Sequence, residues 1–260
     1  MDGNLVLIRD EGGVRHLTLN RPQARNAMSL ALLEELVGAL DDAERSDAIR
    51  IVVVRGSDGT FSAGADIKDM ANARNADDPA EAIYRLSCAF GAMVARFATT
   101  PKTVITALEG AVMGGGFGLA CASDIAIASH TVKFALPEAT LGLIPAQIAP
   151  VLLERIGYSE AKRLTVTGAR IGAEEAMRIG LVHAVTDDMD TALGQAIEHA
   201  LTCAPEAVAV SKKLLRDARF VQSDTLVEHA ANLFVEAVTG KEGAEGTLAF
   251  VEKRKARWMP

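Results

Sequence analysis

Residues Thr103-Val-Ile-Thr-Ala-Leu-Glu-Gly-Ala-Val-Met-Gly-Gly-Gly-Phe-Gly-Leu-Ala-Cys-Ala-Ser-Asp-Ile-Ala-Ile-Ala128 decide the fold. The stretch opens on an apolar, β-rich run, Thr103 to Leu108, and turns through Met113-Gly-Gly-Gly-Phe-Gly-Leu119. Helical apolar spacing continues from Phe117 to Cys121, and a second strand reads from Asp124 to Ala128. Strand, glycine turn, helix and strand make a crossover unit, which specifies an α/β architecture. The same order occurs upstream. Ile49 to Arg55 is an almost continuous apolar run suited to a buried strand, Phe61-Ser-Ala-Gly-Ala-Asp-Ile-Lys68 is the turn, and a helical segment starts at Ile67 to Met70.

Further out, Leu5 to Arg9 and Val14 to Asn20 predict a hairpin around Glu11-Gly12-Gly13. Ser29 is the expected N-cap of a helix that carries Leu32, Leu33, Leu36, Val37 and Leu40 on one face and Glu34, Glu35, Asp41 and Asp42 on the other. A long helix is expected from Pro79 to about Ala98. Beyond about Gly142 the strand signal fades and helices dominate, with breaks at Gly157, Gly168, Gly180 and Pro205, and no linker separates the halves.

The two glycine segments also carry chemistry. Helix starts leave backbone N–H groups without intrahelical acceptors, and glycine lets a ligand approach them. One such turn alone is a common α/β feature. Two in this order can aim their N–H groups at a single developing oxyanion.

Composition sets limits. With 260 residues, 49% of them hydrophobic and 23% charged, the chain is ample for a full core. A net charge of −7 argues against general nucleic-acid binding. Met1-Asp-Gly-Asn-Leu5 lacks a basic region followed by an apolar one, and no apolar run reaches the roughly 20 residues that span a bilayer. A cytoplasmic, non-membrane protein is expected. Cys88, Cys121 and Cys203 fall in apolar helical stretches and are expected to be buried small residues. The five histidines show no ligand spacing, so no metal site is expected.

The motifs Asn20-Arg-Pro22, Phe61 to Lys68, Gly114-Gly-Gly116, Asp124-Ile125, Pro137-Glu138, Leu141-Gly142 and Ala249-Phe-Val-Glu-Lys-Arg-Lys255 occur in an order and spacing that closely resemble the enoyl-CoA hydratase/isomerase, or crotonase, superfamily. The resemblance runs from end to end. It implies a ClpP-like spiral of ββα units in residues 1–195, an α-helical trimerisation region in 196–260, and trimers that pair into hexamers. The implied substrate is an acyl-CoA thioester, with coenzyme A entering as part of the substrate and no separate cofactor. Ala65 and Gly115 match the oxyanion donors, and Glu138 matches a catalytic glutamate. Ala63, Asp66, Ile67 and Lys68 match the stretch that holds the adenine and phosphates, flanked by Ala24 and Arg25, while Gly114, Gly118 and Pro137 match pocket positions. Phe250 and Lys253 match positions that approach the CoA from the C-terminal helix, contributed by a neighbouring subunit. RNA binding by a lysine-rich first helix is disfavoured by Glu34, Glu35, Asp41, Asp42 and Glu44.

One departure stands out. Hydratases of the family carry two glutamates around a water, and the first falls at position 118, which is glycine. The loop after Glu138 reads Ile144-Pro-Ala-Gln-Ile-Ala-Pro150 in place of a Gly-Gly-Thr-Gln-like sequence, so the pocket is re-lined. A single carboxylate suits a Δ3-Δ2 isomerase, or a hydratase in which another group, for which Gln147 is a candidate, orients water. A catalytically idle acyl-CoA-binding paralogue is the reading from another class. The loop with Gly118 also resembles hydratases for branched glutaconyl-CoA thioesters, including isohexenylglutaconyl-CoA. Glu109 is expected to support the glycine turn and Asp124 to cap neighbouring N–H groups.

Overall fold

The computed structural model describes residues 4–260 and opens on the expected hairpin; Met1 to Gly3, where the N-terminal reading falls, lie outside the described residues. Strands β1 (Val6–Glu11) and β2 (Val14–Leu19) pair antiparallel across Gly12 and Gly13, whose φ angles of +55° and +84° suit a two-residue hairpin turn. In helix α1 (Leu30–Arg45) the Ser29 hydroxyl accepts the Leu32 N–H at 3.3 Å, and Leu32, Leu33, Leu36 and Leu40 are buried. The chain continues through β3 (Ile51–Gly56), α2 (Ile67–Arg74), α3 (Pro79–Thr99), β4 (Thr103–Leu108), β5 (Ala111–Met113), α4 (Gly115–Ala122), β6 (Ile125–Ser129) and β7 (Lys133–Ala135). It ends with α5 (Ala149–Thr167), β8 (Arg170–Ile171), α6 (Ala173–Arg178), β9 (Ala184–Thr186), α7 (Met189–Leu201), α8 (Pro205–Ala218), α9 (Ser223–Thr239) and α10 (Lys241–Val251).

The main sheet has the order β1-β2-β3-β4-β6-β9, parallel throughout except at β1. Both faces are covered, which is why β3 reads as an apolar run rather than an alternation. Val52 and Val54 join the larger core with Leu36, Phe97 and Phe117, whereas Ile51 and Val53 turn to the other face and pack with Met189 and Leu193 of α7. A second sheet, β5-β7-β8, stands apart from the first.

Four short strands, β5, β7, β8 and β9, depart from the sequence reading. β5 separates Leu108 from the glycine turn, and β8 and β9 lie in the half expected to be helical. Strands of two or three residues are too short to display a period of two. The cysteine expectation is also corrected: Cys121 is buried and burial pushes its thiol up to about 12, but Cys88 and Cys203 are exposed, and Cys203 lies beyond the end of α7. Cys88 sits on the solvent face of an amphipathic helix, where an apolar neighbourhood in sequence does not mean burial.

Long-range polar contacts tie the helical half to the sheet. The Asp124 carboxylate accepts the Val104 N–H at 2.7 Å and pairs with Lys212 of α8 at 2.6 Å. Arg50, just before β3, donates to the carbonyls of Trp258 (2.6 Å), Leu201 (3.0 Å) and Cys203 (2.5 Å).

Candidate active site

Three backbone stretches run parallel toward one end of the small sheet. Ser62 bridges Val112, and Val112 pairs with Phe134. Three residues on from Ser62 and Val112 lie Ala65 and Gly115, and four on from Phe134 lies Glu138, so the register itself gathers them. The Phe117 and Phe134 rings pack edge to face, 5.9 Å between centroids, fixing α4 against the strand that leads to Glu138.

The glycines at the junction have structural reasons. Gly64 and Gly114 have φ of +97° and +47°, where side chains are strained. A Cβ at Gly64 would stand 3.1 Å from the Met113 carbonyl oxygen and 3.7 Å from Gly115 N, and a Cβ at Gly114 would stand 2.9 Å from Glu138 Oε1. The two glycine loops and the carboxyl are therefore neighbours.

Met28 N–H donates to the Gly64 carbonyl at 2.8 Å, and the Met28 carbonyl accepts the Asp66 N–H at 3.2 Å. This parallel bridge uses the groups on either side of Ala65 and directs its own N–H away from Met28. Neither Ala65 N–H nor Gly115 N–H donates to a protein acceptor among the described residues. Gly115 opens α4, so the helix dipole adds positive potential at the same place.

Glu138 sits in a 3₁₀ turn that ends at Gly142, φ +72°. Its Oε2 is buried and has no hydrogen-bond partner among the described residues. Burial pushes the carboxyl above the ordinary glutamate value, and a hydrogen bond from its own backbone offsets part of that push. A buried carboxyl with a free oxygen beside unpaired N–H groups can move protons.

Position 118 is closed to a second carboxylate. A Cβ on Gly118 would lie 2.1 Å from Ile148 Cγ2, and Ile148 is 2% exposed. Replacing Gly118 by glutamate therefore cannot restore the two-glutamate pattern while Ile148 stays.

The other sequence candidates take separate places. Ala63 is half-buried, Ala65, Ile67 and Lys68 are exposed, and they precede or begin α2 beside Ala24 and the exposed Arg25. The Ala63 N–H donates to the Arg25 carbonyl at 2.9 Å, joining the two stretches. The Asp66 side chain is occupied: it caps α2 at Lys68 N (2.8 Å) and pairs with Arg21 at 2.7 Å. Burial raises its pKa, but Arg21 and the capping bonds outweigh that and hold it below the ordinary range. Glu109 pairs with Arg55 at 3.2 Å. Pro137 is half-buried and leads into the Glu138 turn. Phe250, on α10, is 85% exposed in the single chain, and Lys253 follows at φ +56°.

Sequence reasoning missed Asn26 and Arg155. Asn26 is fully buried at φ +54°; its side-chain amide donates to the Ser57 and Thr60 carbonyls at 3.0 and 2.6 Å, and its backbone carbonyl oxygen accepts the Ser62 hydroxyl at 2.9 Å. Its place in the 20–26 segment, close after a proline, was the available signal. Arg155 of α5 donates to the Cys121 carbonyl at 3.1 Å and to the Ser123 carbonyl, closing the far end of α4. Nothing local in the sequence announces it.

A groove of about 600 Å³ between α2 and α3 lies outside this constellation, and its Asp69, Asp77, Asp78 and Glu81 would repel phosphates. Among the described residues no group of His, Cys, Asp and Glu is placed to hold a metal, and no helix is long and apolar enough to cross a membrane.

Known proteins share both sequence and fold. A family described as enoyl-CoA hydratase/isomerase matches residues 9–260. A probable enoyl-CoA hydratase of Rhizobium meliloti is 35% identical over 99% of this chain and 99% of its own length. A trans-2-decenoyl-[acyl-carrier-protein] isomerase of Streptococcus mutans is 28% identical, again over 99% of both chains. The solved structure of Pseudomonas aeruginosa AtuE superposes with a TM-score of 0.95 at 47% identity, covering 99% of this chain and 100% of that one.

Proposed function

The chain is an enzyme of the enoyl-CoA hydratase/isomerase family, with the family's crotonase fold, and on that premise we propose that it adds water to a 2-enoyl-CoA. The observation that carries this reading is the buried, unpartnered Glu138 oxygen beside the Gly64-Ala65 and Gly114-Gly115 backbones. The thioester oxygen lies between the N–H groups of Ala65 and Gly115, which bind it more strongly as it becomes an enolate oxygen. As water attacks Cβ, one of its protons passes to the Glu138 carboxylate and the C=C electron pair moves onto the thioester oxygen. Glu138 then returns a proton to Cα, and the carboxylate is regenerated.

The CoA portion runs along Ala24, Arg25, Ala63, the Asp66 backbone, Ile67 and Lys68, with Pro137 and Gly118 beside the acyl group. Phe250 and Lys253 of a neighbouring copy complete the grip, in a homotrimer or hexamer of the cytoplasm. The reaction needs no metal and no cofactor beyond the CoA of the substrate, and no nucleic-acid partner. The acyl group is of the branched glutaconyl class, a reading supported by the resemblance of the Leu141 to Pro150 loop, together with Gly118, to hydratases of that class, while Ile148 over Gly118 leaves no room for the second carboxylate of a linear-chain hydratase. That same closure supports a second reading, a Δ3-Δ2 isomerase in which Glu138 shuttles one proton between carbons.

The test is incubation with crotonyl-CoA, a 3-enoyl-CoA and a branched glutaconyl-CoA, with products read by mass spectrometry. Gain of one water, greatest with the branched thioester, is expected; double-bond migration without added water establishes the isomerase reading instead. In the hydratase reading Glu138→Gln lowers turnover by about 10²- to 10⁴-fold with thioester binding kept. Binding without turnover of any of them leaves an idle acyl-CoA-binding protein.

A further inference from the structure

With Ile148 closing position 118, the water that attacks Cβ lacks a second carboxylate to direct it, and a polar group on the same loop lies next to Ile148. We infer that the Gln147 amide, held in place by Ser87, is the water-positioning group of this enzyme. The inference rests on the hydratase reading above.

The geometry is specific. Gln147 Nε2 donates to Ser87 Oγ at 2.9 Å, linking the loop before α5 to α3. One turn after Ser87, α3 carries Gly91, where a Cβ would stand 2.2 Å from Gln147 Oε1 and 2.7 Å from its amide carbon. Glycine inside a helix costs about 0.8–1 kcal/mol against alanine. Here it makes the room in which the amide lies. Adjacent residues place this pair at the site. Phe90, before Gly91, has its ring 2.7 Å from where a Gly115 Cβ would be, and Ile148, after Gln147, covers Gly118 on the same helix. Phe90 and Ile148 bound the space over α4, and the Gln147 amide lies against Ser87 and Gly91 one residue along the chain from each of them.

The chemistry fits one role. With Nε2 committed to Ser87, Oε1 has no protein donor among the described residues and keeps its lone pairs. A water that gives one proton to Glu138 needs its other O–H held by an acceptor, so that an oxygen lone pair points at Cβ. An amide oxygen does this without taking the proton, leaving Glu138 as the only group that ionises. The gain is orientation, and misplacement of a reacting group costs about 10- to 100-fold.

Two reactions separate this role from loop support: hydration of the 2-enoyl-CoA, and exchange of the α-hydrogens of butyryl-CoA with D2O. The exchange needs the oxyanion donors and Glu138 but adds no water to the thioester. Gln147→Leu is expected to lower hydration kcat by about 10- to 100-fold at a KM within about threefold, with exchange within about twofold of wild type. Gln147→Glu, which keeps an acceptor, recovers most of the hydration rate. Ser87→Ala, which frees the amide without removing it, gives a smaller loss in kcat, and carries the test if the leucine variant does not fold. Parallel loss of hydration and exchange in the folded variants, or hydration at the wild-type rate, overturns the inference. Failure of the underlying reading has a different signature: Glu138→Gln would then keep both reactions, or wild type would hydrate none of the thioesters.

Discussion

Burial pushes the Glu138 carboxyl above the ordinary glutamate value, so its ionised form, which the chemistry needs, weakens the fold. Below that ordinary value the group is protonated in the folded and unfolded chain alike and there is no penalty. As pH rises from there toward the raised folded value, the unfolded chain loses its proton first, and stability falls across that window. Glu138→Gln never ionises. It is therefore expected to melt above wild type at neutral pH, with the gap closing as pH falls below the ordinary glutamate value, as measured by thermal denaturation across pH. Equal melting temperatures at pH 7 would refute the buried-charge account. At this scale the sequence was informative where a residue's place depends on its neighbours in a motif: Ala65, Gly115 and Glu138, which the motifs single out, are gathered at one end of the small sheet. It was silent on Ile148, because a buried isoleucine looks like any other until the glycine it covers is known.

Helix α4 shows how an element is made to serve the site. All eight residues, Gly115–Ala122, are buried, so its ends have little access to water. The first turn is left open at Gly115, whereas the last is closed by the Arg155 guanidinium on the Cys121 and Ser123 carbonyls. A cation at a helix C-terminus also complements the dipole. Arg155→Met keeps most of the packing but strands these carbonyls, and is expected to destabilise the fold by about 2–3 kcal/mol, lowering Tm on the order of 5–10 °C. A thermal melt within a degree of wild type would remove Arg155 from this role. The helices and the long strands were legible in the sequence because their periodicity extends over several residues and their caps, Ser29 and Gly168, are chemically distinct. β5 was not, and yet its pairing with β7 is what aligns Gly115 with Glu138. Pairing between distant segments leaves no local trace.

The last third leaves several large apolar side chains uncovered in one chain: Phe220, Phe234, Val235, Phe250 and Val251 are 58–85% exposed. Exposed apolar side chains in such number suit contact with another copy of the chain. Sedimentation is expected to give a trimer or hexamer, and a concentration-independent monomer with normal CoA-thioester binding would refute the shared role of Phe250 and Lys253. The end-to-end resemblance made the fold class legible, but no sequence pattern pointed to Arg50, whose partners lie across the chain. That arginine has a consequence in time. Its acceptor on Trp258 lies 208 residues downstream, which at about 5–20 residues per second is roughly 10–40 s of ribosomal synthesis. Once β4 is complete at Leu108, β1 to β4 are available to pair for the rest of that interval while the clasp over the edge of their core has yet to be made. A nascent chain stopped before Trp258 should therefore be more open to proteolysis near α7 than the finished protein, and co-translational handling of this enzyme has its longest wait at Arg50.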